Sequence, residues 1–373
     1  MLISTYDNIE LYAVSCAVPN KTVSAKSIYK KHGQEYTEKI SKNVAVESVR
    51  VSIKKQISSD LGYVAAKKLL DDYHIDTAKI GVLVYVTQTP DYRMPATSCI
   101  LHKRLMLSHD CATVDVNNGC AGFVYGANIA CAMLDKIDCG YALLINGDTS
   151  TPKKILRDNY SRRVSVPFGD ATTAVLFKKS NNAEPIQIAL RSNGGGYHSL
   201  IEYGSGFRAL TYSKSEMALG RRSKKYPLMN GVEVFNFSIT DVPNLINEFA
   251  EHNGKAASDY DYIILHQPNL YMIKQISKKI NVSMDKVPIS LYRYGNTSGA
   301  SIPLTLVDRF GECEGEGEGE GKSGAINTLM CGFGVGLMWG VMSAHINTEN
   351  ILPMINSDEY YEDPNIDNYA YDS

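Results

Sequence analysis

The chain has 373 residues, which is enough for two domains of average size or one large α/β body. Its 44% hydrophobic and 21% charged residues are typical of an ordinary globular protein, and a formal charge of −2 provides no basic field for nucleic acid. The charge is uneven. Residues 351–373 carry six acids and no Lys or Arg, so −2 minus −6 leaves about +4 on the rest.

The first ten residues lack the basic and apolar regions of a secretory signal, which favours a cytoplasmic protein with reduced thiols at its eight cysteines. No Cys or His spacing is typical of a metal site, so no metal is expected. Ile326–Ala344 is uncharged, but it contains four glycines. It therefore predicts strand, turn and strand in a buried sheet rather than a membrane helix.

Helical and strand patterns alternate along the chain, which predicts an α/β fold with buried strands. In the first half the patterns predict helices over 58–73 and 121–134 and strands over 80–87, 112–117, 141–146 and 173–177. In the second half they predict helices over 232–251 and 270–280, a strand over 262–265, and a strand with a glycine loop over 326–339.

Two strand–helix halves that meet near residues 180–195 fit an internally duplicated fold. We divide the chain into halves of residues 1–185 and 186–350 and an acidic tail of residues 351–373. The glycine- and glutamate-rich run over 311–321 has almost nothing to bury, and it predicts a solvated loop. The tail is expected to resemble it, although its tyrosines could dock elsewhere.

Cys120 follows a buried strand and Gly119 at the predicted start of a helix. A helix N-terminus carries partial positive charge, which stabilises a thiolate and makes the cysteine a better nucleophile. The alternative is a buried structural cysteine, the usual fate of this residue type.

Two polar residues of the second half lie where strands or turns end. His266 directly follows an apolar strand, at the sheet edge where α/β proteins form their sites, although a lone histidine there is more often a structural residue. Asn296 lies in a segment of small residues and is explained, taken alone, by turn chemistry. The glycine loop over 332–339 could bring backbone N–H groups to a reacting oxygen or could form a tight hairpin.

The motifs containing these residues resemble, in order and spacing, the β-ketoacyl-acyl-carrier-protein synthase III family of the thiolase superfamily. The motifs are NGCAGF, FGDAT, MNGVEVF, HQPN, GNTSGASIP and GFGVGLMWG. The resemblance runs from about Leu11 to Ser343. It implies a thiolase fold, with two similar βαβαβαββ halves in a five-layered α/β structure, and usually a homodimer.

The same resemblance implies that Cys120, His266 and Asn296 are catalytic and that the backbone N–H groups of Cys120 and Val335 form an oxyanion hole. Cys120 would carry an acyl group, and a malonyl-type thioester would lose carbon dioxide and condense with it. His266 and Asn296 would donate hydrogen bonds to the enolate. The substrates would be coenzyme A or acyl-carrier-protein thioesters, with no other cofactor.

Further positions are assigned by resemblance to the binding of substrate or carrier. Met94 would cap the acyl pocket of the partner subunit, and a flexible Met predicts tolerance of longer chains. The residues that would receive the carrier are Arg162, Asn269, Lys278 and Lys279.

The sequence departs from the family at several of these positions. A stacking Trp near the start is absent, Tyr271 and Asn236 replace basic residues, and Val335 replaces a glycine. These differences suggest a specialised relative in lipid or polyketide synthesis. The missing Trp predicts that a carrier-protein donor is preferred over coenzyme A.

Three other interpretations fit parts of the sequence. A same-fold enzyme could pass the acyl group to an alcohol or amine without decarboxylation. A non-catalytic partner subunit would not need Cys120, His266 and Asn296 together. A papain-like hydrolase shares the Cys, His, Asn order, but the segment around Cys120 lacks the pattern of that class.

Overall fold

The computed structural model describes residues 1–29, 44–149, 168–203, 206–211, 228–311 and 324–363. Arg162 and residues 312–321 of the glycine- and glutamate-rich run lie outside these ranges. Within them the chain forms eight α-helices: α1 Ala25–Tyr29, α2 Ser58–Asp72, α3 Thr97–Arg104, α4 Gly122–Lys136, α5 Gly231–His252, α6 Leu270–Lys279, α7 Leu291–Tyr294 and α8 Ser301–Phe310.

The described residues also form fifteen strands. They are β1 Ser4–Tyr6, β2 Ile9–Val18, β3 Thr22–Ser24, β4 Ser48–Arg50, β5 Ile80–Val86, β6 Ala112–Val116, β7 Tyr141–Asp148, β8 Ala171–Lys179, β9 Ile186–Ser192, β10 Leu200–Ile201, β11 Leu228–Met229, β12 Tyr262–Leu265, β13 Ala325–Gly334, β14 Met338–Asn347 and β15 Ile355–Asn356.

Two mixed sheets form the centre of the molecule. The first has the strand order β15-β2-β8-β7-β5-β6, and the second has the order β1-β9-β14-β13-β12. Every residue of β5 is buried, because helices cover both faces of its sheet. The uncharged stretch over 326–344 is the antiparallel pair β13–β14, which confirms strand, turn and strand. No described helix is long and apolar enough to cross a membrane.

The two sheets divide the chain near residue 185, but each takes one strand from the far end of the sequence. β1 pairs with β9 in the second sheet, and β15 pairs with β2 in the first. One hydrophobic core includes residues of both halves, such as Val84 and Ile264. The proposed boundaries at 185 and 350 stay predictions, since the halves share this core.

In its described part, residues 351–363, the tail is not simply solvated, and the alternative that its tyrosines dock is confirmed for Tyr361. The backbone N–H of Tyr361 donates to Asp60 at 2.9 Å, and the Arg104 guanidinium lies over the Tyr361 ring at 4.8 Å. The Gln56 amide donates to the carbonyls of Ser357 and Glu359. Asp60 and Arg104 form an ion pair that is almost completely buried. The tail therefore packs because it satisfies buried polar groups, which its composition does not reveal.

Candidate active site

Cys120 lies in the turn that joins β6 to α4, two residues before the helix begins. The first turn of α4 contains no acidic residue and its N-cap, Ala121, has no side-chain acceptor. No side chain at this helix terminus therefore competes with Cys120 for the positive end of the helix dipole. That partial positive charge stabilises the thiolate form of Cys120. Cys120 is half-buried, as a nucleophile that must meet a substrate needs to be.

Other cysteines are poorly suited to nucleophilic chemistry. Burial raises the pKa of Cys16, Cys131 and Cys331 well above the ordinary range, and it raises the pKa of Cys111 to about 12. Cys99 is exposed and remains open to alkylation. Among these thiols Cys120 combines access with a favourable helix terminus.

His266 directly follows β12 and is 99% buried, with 1% of its surface exposed. Its Nδ1 lies 2.8 Å from the Ser301 hydroxyl at the start of α8, and its ring meets Phe333 edge-on at 5.5 Å. Burial lowers the pKa of His266 to about 3, against a smaller opposing effect from the Ser298 backbone. The ring is therefore neutral at physiological pH, and a hydroxyl that donates to Nδ1 leaves the proton on Nε2.

Asn296 is fixed by its own turn and by the first half of the chain. Its side-chain Oδ1 accepts a hydrogen bond from the Ser298 N–H at 2.9 Å, and its backbone carbonyl accepts one from Gly169 at 3.0 Å. A Cβ on Gly169 would lie 2.0 Å from the Tyr294 carbonyl oxygen, so the FGDAT motif needs glycine there. With Oδ1 occupied, Asn296 presents its amide Nδ2 as a donor.

Strand β13 and the turn before α8 bring these residues into one site. A Cβ added to Gly334 would lie 2.9 Å from Cys120 Sγ, and the neighbouring Phe333 touches His266. A Cβ added to Gly299, three residues after Asn296, would lie 2.9 Å from the Gly119 carbonyl oxygen. The three predicted catalytic residues therefore lie around the same end of β13.

Val335 continues from β13 beside this site. Its side chain lies next to Gly119, because a Cβ on that glycine would be 3.3 Å from Val335 Cγ1. Its N–H donates to no acceptor among the described residues, so it can meet a substrate oxygen. The positive φ of this turn, +140°, belongs to Gly336, and Val335 itself keeps an ordinary negative φ. A valine is therefore accommodated without backbone strain.

The predicted binding residues occupy different surroundings. Asn269 caps α6, since its Oδ1 accepts from the Met272 N–H at 2.8 Å, and this alone explains an Asn there. Lys278 and Lys279 are exposed on the last turn of α6. Met94 is 86% exposed in a loop before α3. The described residues contain no group of side chains suited to hold a metal ion.

Sequence analysis missed three contributors to the site. Ser301 orients His266, Phe333 packs against its ring, and Asn146 donates to the Gly299 carbonyl from a position that is fully buried. Ser301 and Phe333 stood inside motifs that were already identified, but a motif does not show which neighbour touches which. Asn146 ends a predicted strand, and its position gave no signal beyond that.

The fold and this site define an acyltransferase of the thiolase superfamily. Comparison with known proteins identifies the family within that superfamily. The family described as 3-oxoacyl-[acyl-carrier-protein] synthase III matches residues 114–194, and the C-terminal part of that family matches residues 250–346.

A β-ketoacyl-[acyl-carrier-protein] synthase III from Clostridium acetobutylicum is 32% identical over 336 residues, which is 90% of this chain and 98% of the relative. The crystal structure of a 3-oxoacyl-(acyl-carrier protein) synthase from Burkholderia xenovorans superposes with a TM-score of 0.84 at 29% identity and covers 95% of this chain and 99% of that one. The priming β-ketosynthase of the R1128 polyketide pathway shares the fold, with a TM-score of 0.78, 22% identity, and coverage of 91% of this chain and 96% of that one.

The chain therefore belongs to the β-ketoacyl-acyl-carrier-protein synthase III family and is a condensing acyltransferase. This confirms the thiolase fold and the enzyme class that the motifs implied.

Proposed function

We propose that Cys120 takes an acyl group from a thioester and condenses it, with loss of carbon dioxide, with a malonyl-type thioester. The arrangement of His266 and Asn296 carries this proposal. Both are buried at the same end of β13 as Cys120, His266 is neutral, and the Oδ1 of Asn296 already accepts from an N–H group. We assign the Ser301 hydroxyl as the donor in its 2.8 Å contact with His266 Nδ1, which places the ring proton on Nε2. Each then presents one N–H donor, and two donors are what an enolate oxygen requires.

The first half of the reaction forms the acyl-enzyme. The Cys120 thiolate attacks the thioester carbonyl, and its oxygen becomes negative in the tetrahedral intermediate. The backbone N–H groups of Cys120 and Val335 stabilise that charge, after which the carrier thiol leaves and is protonated. The helix terminus that stabilises the Cys120 thiolate contributes to this step before any substrate binds.

The second half forms the carbon–carbon bond. The malonyl carboxylate leaves as carbon dioxide, and the electron pair that remains is delocalised onto the thioester oxygen. His266 Nε2 and Asn296 Nδ2 donate to that oxygen, and a neutral His266 does so without adding charge to a buried site. The enolate carbon then attacks the acyl carbon on Cys120, and the Cys120 thiolate is released.

The carriers and the assembly belong to the same proposal. Acyl-carrier-protein or coenzyme A thioesters would approach over the exposed Lys278 and Lys279, in the cytoplasm. The protein would act as a homodimer, because β6 is the outermost strand of the first sheet and Met94 is exposed near it. Met94 would then reach the acyl pocket of the partner.

Separate measurement of the two half-reactions tests this assignment. His266→Ala and Asn296→Ala should both still acylate Cys120 from an acyl thioester, as followed by intact-protein mass spectrometry. Carbon dioxide release from malonyl-coenzyme A should fall by roughly 10²–10³ in each, the usual loss for one oxyanion donor. Decarboxylation at the wild-type rate in both variants would remove these roles. A wild-type enzyme that acylates Cys120 but never decarboxylates would favour ester or amide formation.

A further inference from the structure

Gln88 lies beside the turn that carries Cys120. Strands β5 and β6 are parallel neighbours, so the segments that follow them leave the sheet at the same carboxyl edge. A Cβ added to Gly119 would be 2.9 Å from Gln88 Cδ, the carbon of the side-chain amide. Since neighbouring Cα atoms are about 3.8 Å apart, this amide carbon lies within about 8 Å of the Cys120 Cα atom. Gln88 therefore belongs to the surroundings of the nucleophile.

The backbone around Gln88 is fixed by Asp148, the last residue of β7. Asp148 is buried, and its Oδ1 accepts from the Gln88 N–H at 2.7 Å and from the Thr87 hydroxyl at 3.0 Å. The Thr89 hydroxyl donates to the same oxygen at 3.3 Å. Gln88 therefore projects from a segment whose position is set before any substrate binds, which lowers the entropy lost when a ligand contacts it.

The side-chain amide of Gln88 makes no hydrogen bond within the described part of the chain, where Gln88 donates only through its backbone N–H. Gln88 is exposed, so water can satisfy both ends of its amide in the free enzyme. The amide offers a donor at Nε2 and an acceptor at Oε1, and a half-turn of the group exchanges them. An acyl chain that covered this amide with carbon alone would displace the water and leave the polar group unsatisfied.

Val335 lies on the same side of the turn. The Cβ added to Gly119 would also be 3.3 Å from Val335 Cγ1, so the Gln88 amide and the Val335 side chain flank one point next to the nucleophile. In the proposed reaction the Val335 N–H holds the carbonyl oxygen of the acyl group on Cys120. The first carbon atoms of the acyl chain therefore begin close to the Gln88 amide.

We infer that Gln88 selects acyl groups with an oxygen atom on carbon 3 or 4, in the form of a hydroxyl or keto group. This inference rests on the proposed acyl transfer to Cys120. A hydroxyl donates to Oε1 or accepts from Nε2, and a keto oxygen accepts from Nε2. Such a hydrogen bond replaces the one that the amide loses with its water, whereas a plain alkyl chain replaces nothing. Oxygenated acyl thioesters are therefore the preferred donors.

The test compares two donors that differ by one hydroxyl group. The second-order rate of Cys120 acylation is followed by intact-protein mass spectrometry with hexanoyl-coenzyme A and with each configuration of 3-hydroxyhexanoyl-coenzyme A. Because the amide is fixed on one side of the site, the wild type should favour one configuration over hexanoyl-coenzyme A by about fivefold, the effect of one net hydrogen bond. A ratio below about twofold for both configurations would overturn the inference.

Substitution of Gln88 shows whether the amide causes this ratio. Gln88→Leu keeps a side chain of similar size without the amide, and it should make the hydroxylated donor the slower one. Gln88→Ala should bring the two rates within about twofold, and it serves as a second variant if the leucine lowers stability. Gln187→Leu, the same change on β9, should keep the wild-type ratio. An unchanged ratio in both Gln88 variants, or an equal loss with both donors, would overturn the inference.

Binding to a protein that cannot be acylated separates this inference from the proposed reaction. Isothermal titration of Cys120→Ala should show the favoured 3-hydroxyhexanoyl-coenzyme A bound about fivefold more tightly than hexanoyl-coenzyme A, and Gln88→Leu in the same background should remove the difference. If neither donor acylates the wild type but this binding preference is found, the proposed function fails while the role of Gln88 stands. Equal binding of the donors to Cys120→Ala would overturn the role of Gln88 alone.

Discussion

Gly334 is the position where one methyl group should most affect the nucleophile. A Cβ at residue 334 would lie 2.6 Å from Cys120 Cβ and 2.9 Å from its Sγ. Two carbon atoms pack at about 3.5 Å, so Gly334→Ala must move β13 or Cys120 by about 0.9 Å. Overpacking of this kind costs about 1–3 kcal/mol of stability, and a displacement near 1 Å at a reacting atom costs about 10² in rate.

Two measurements separate these effects. Thermal unfolding should show that Gly334→Ala is still folded, and intact-protein mass spectrometry should show acylation of Cys120 slowed about a hundredfold. Gly194→Ala is the matched control, because nothing lies within 4 Å of the added carbon, and it should behave as the wild type. A folded Gly334→Ala that acylates within about threefold of the wild type would refute the contact between β13 and the thiol.

Four further predictions concern the nucleophile, the tail, the acyl pocket and His266. Acyl thioesters should modify Cys120 alone, so Cys120→Ala should abolish acyl labelling while Cys99→Ala preserves it; stable adducts on Cys120→Ala would contradict this. Removal of residues 357–373 should lower the free energy of unfolding by about 2–4 kcal/mol in urea, because buried Gln56 and Asp60 lose hydrogen bonds; an unchanged midpoint would show that the docked tail adds nothing. Met94→Phe should shorten the preferred acyl chain, and an identical chain-length profile would count against Met94 as the cap. Since the pKa of His266 is lowered to about 3, its ring binds no proton above pH 5, and decarboxylation should show no acidic limb near pH 6.5; such a limb, lost in His266→Ala, would refute a neutral donor.

Patterns that depend on neighbours along the chain predicted the structure well. Apolar runs identified β5, β12 and the β13–β14 pair, and amphipathic spacing identified α2 to within one residue. The order of short motifs was enough to imply the thiolase fold. These features could be predicted because each depends on burial or turn chemistry within a few residues.

Features that depend on contacts between distant residues could not be predicted. Tyr271 and Phe235 are separated by 36 positions in sequence, and the local sequence around neither residue indicates that the two rings stack. The Ser301 contact with His266 spans 35 positions, and the tail contact with Asp60 spans 301. Composition suggested that the tail had nothing to bury, whereas its backbone satisfies polar groups on another element. Hydrogen bonds of this kind do not depend on hydrophobic content.

Strand β15 is made near the end of protein synthesis, long after the strand with which it pairs. It pairs in parallel with β2, which is made among the first residues of the chain. At about 5–20 residues per second, roughly 20–70 s pass between translation of Val18 and of Ile355, and throughout that time the outer edge of β2 has no partner strand. An open edge invites pairing with other chains. A ribosome that stalls between residues 336 and 355 would therefore release a polypeptide prone to aggregate, even though every catalytic residue has already been made.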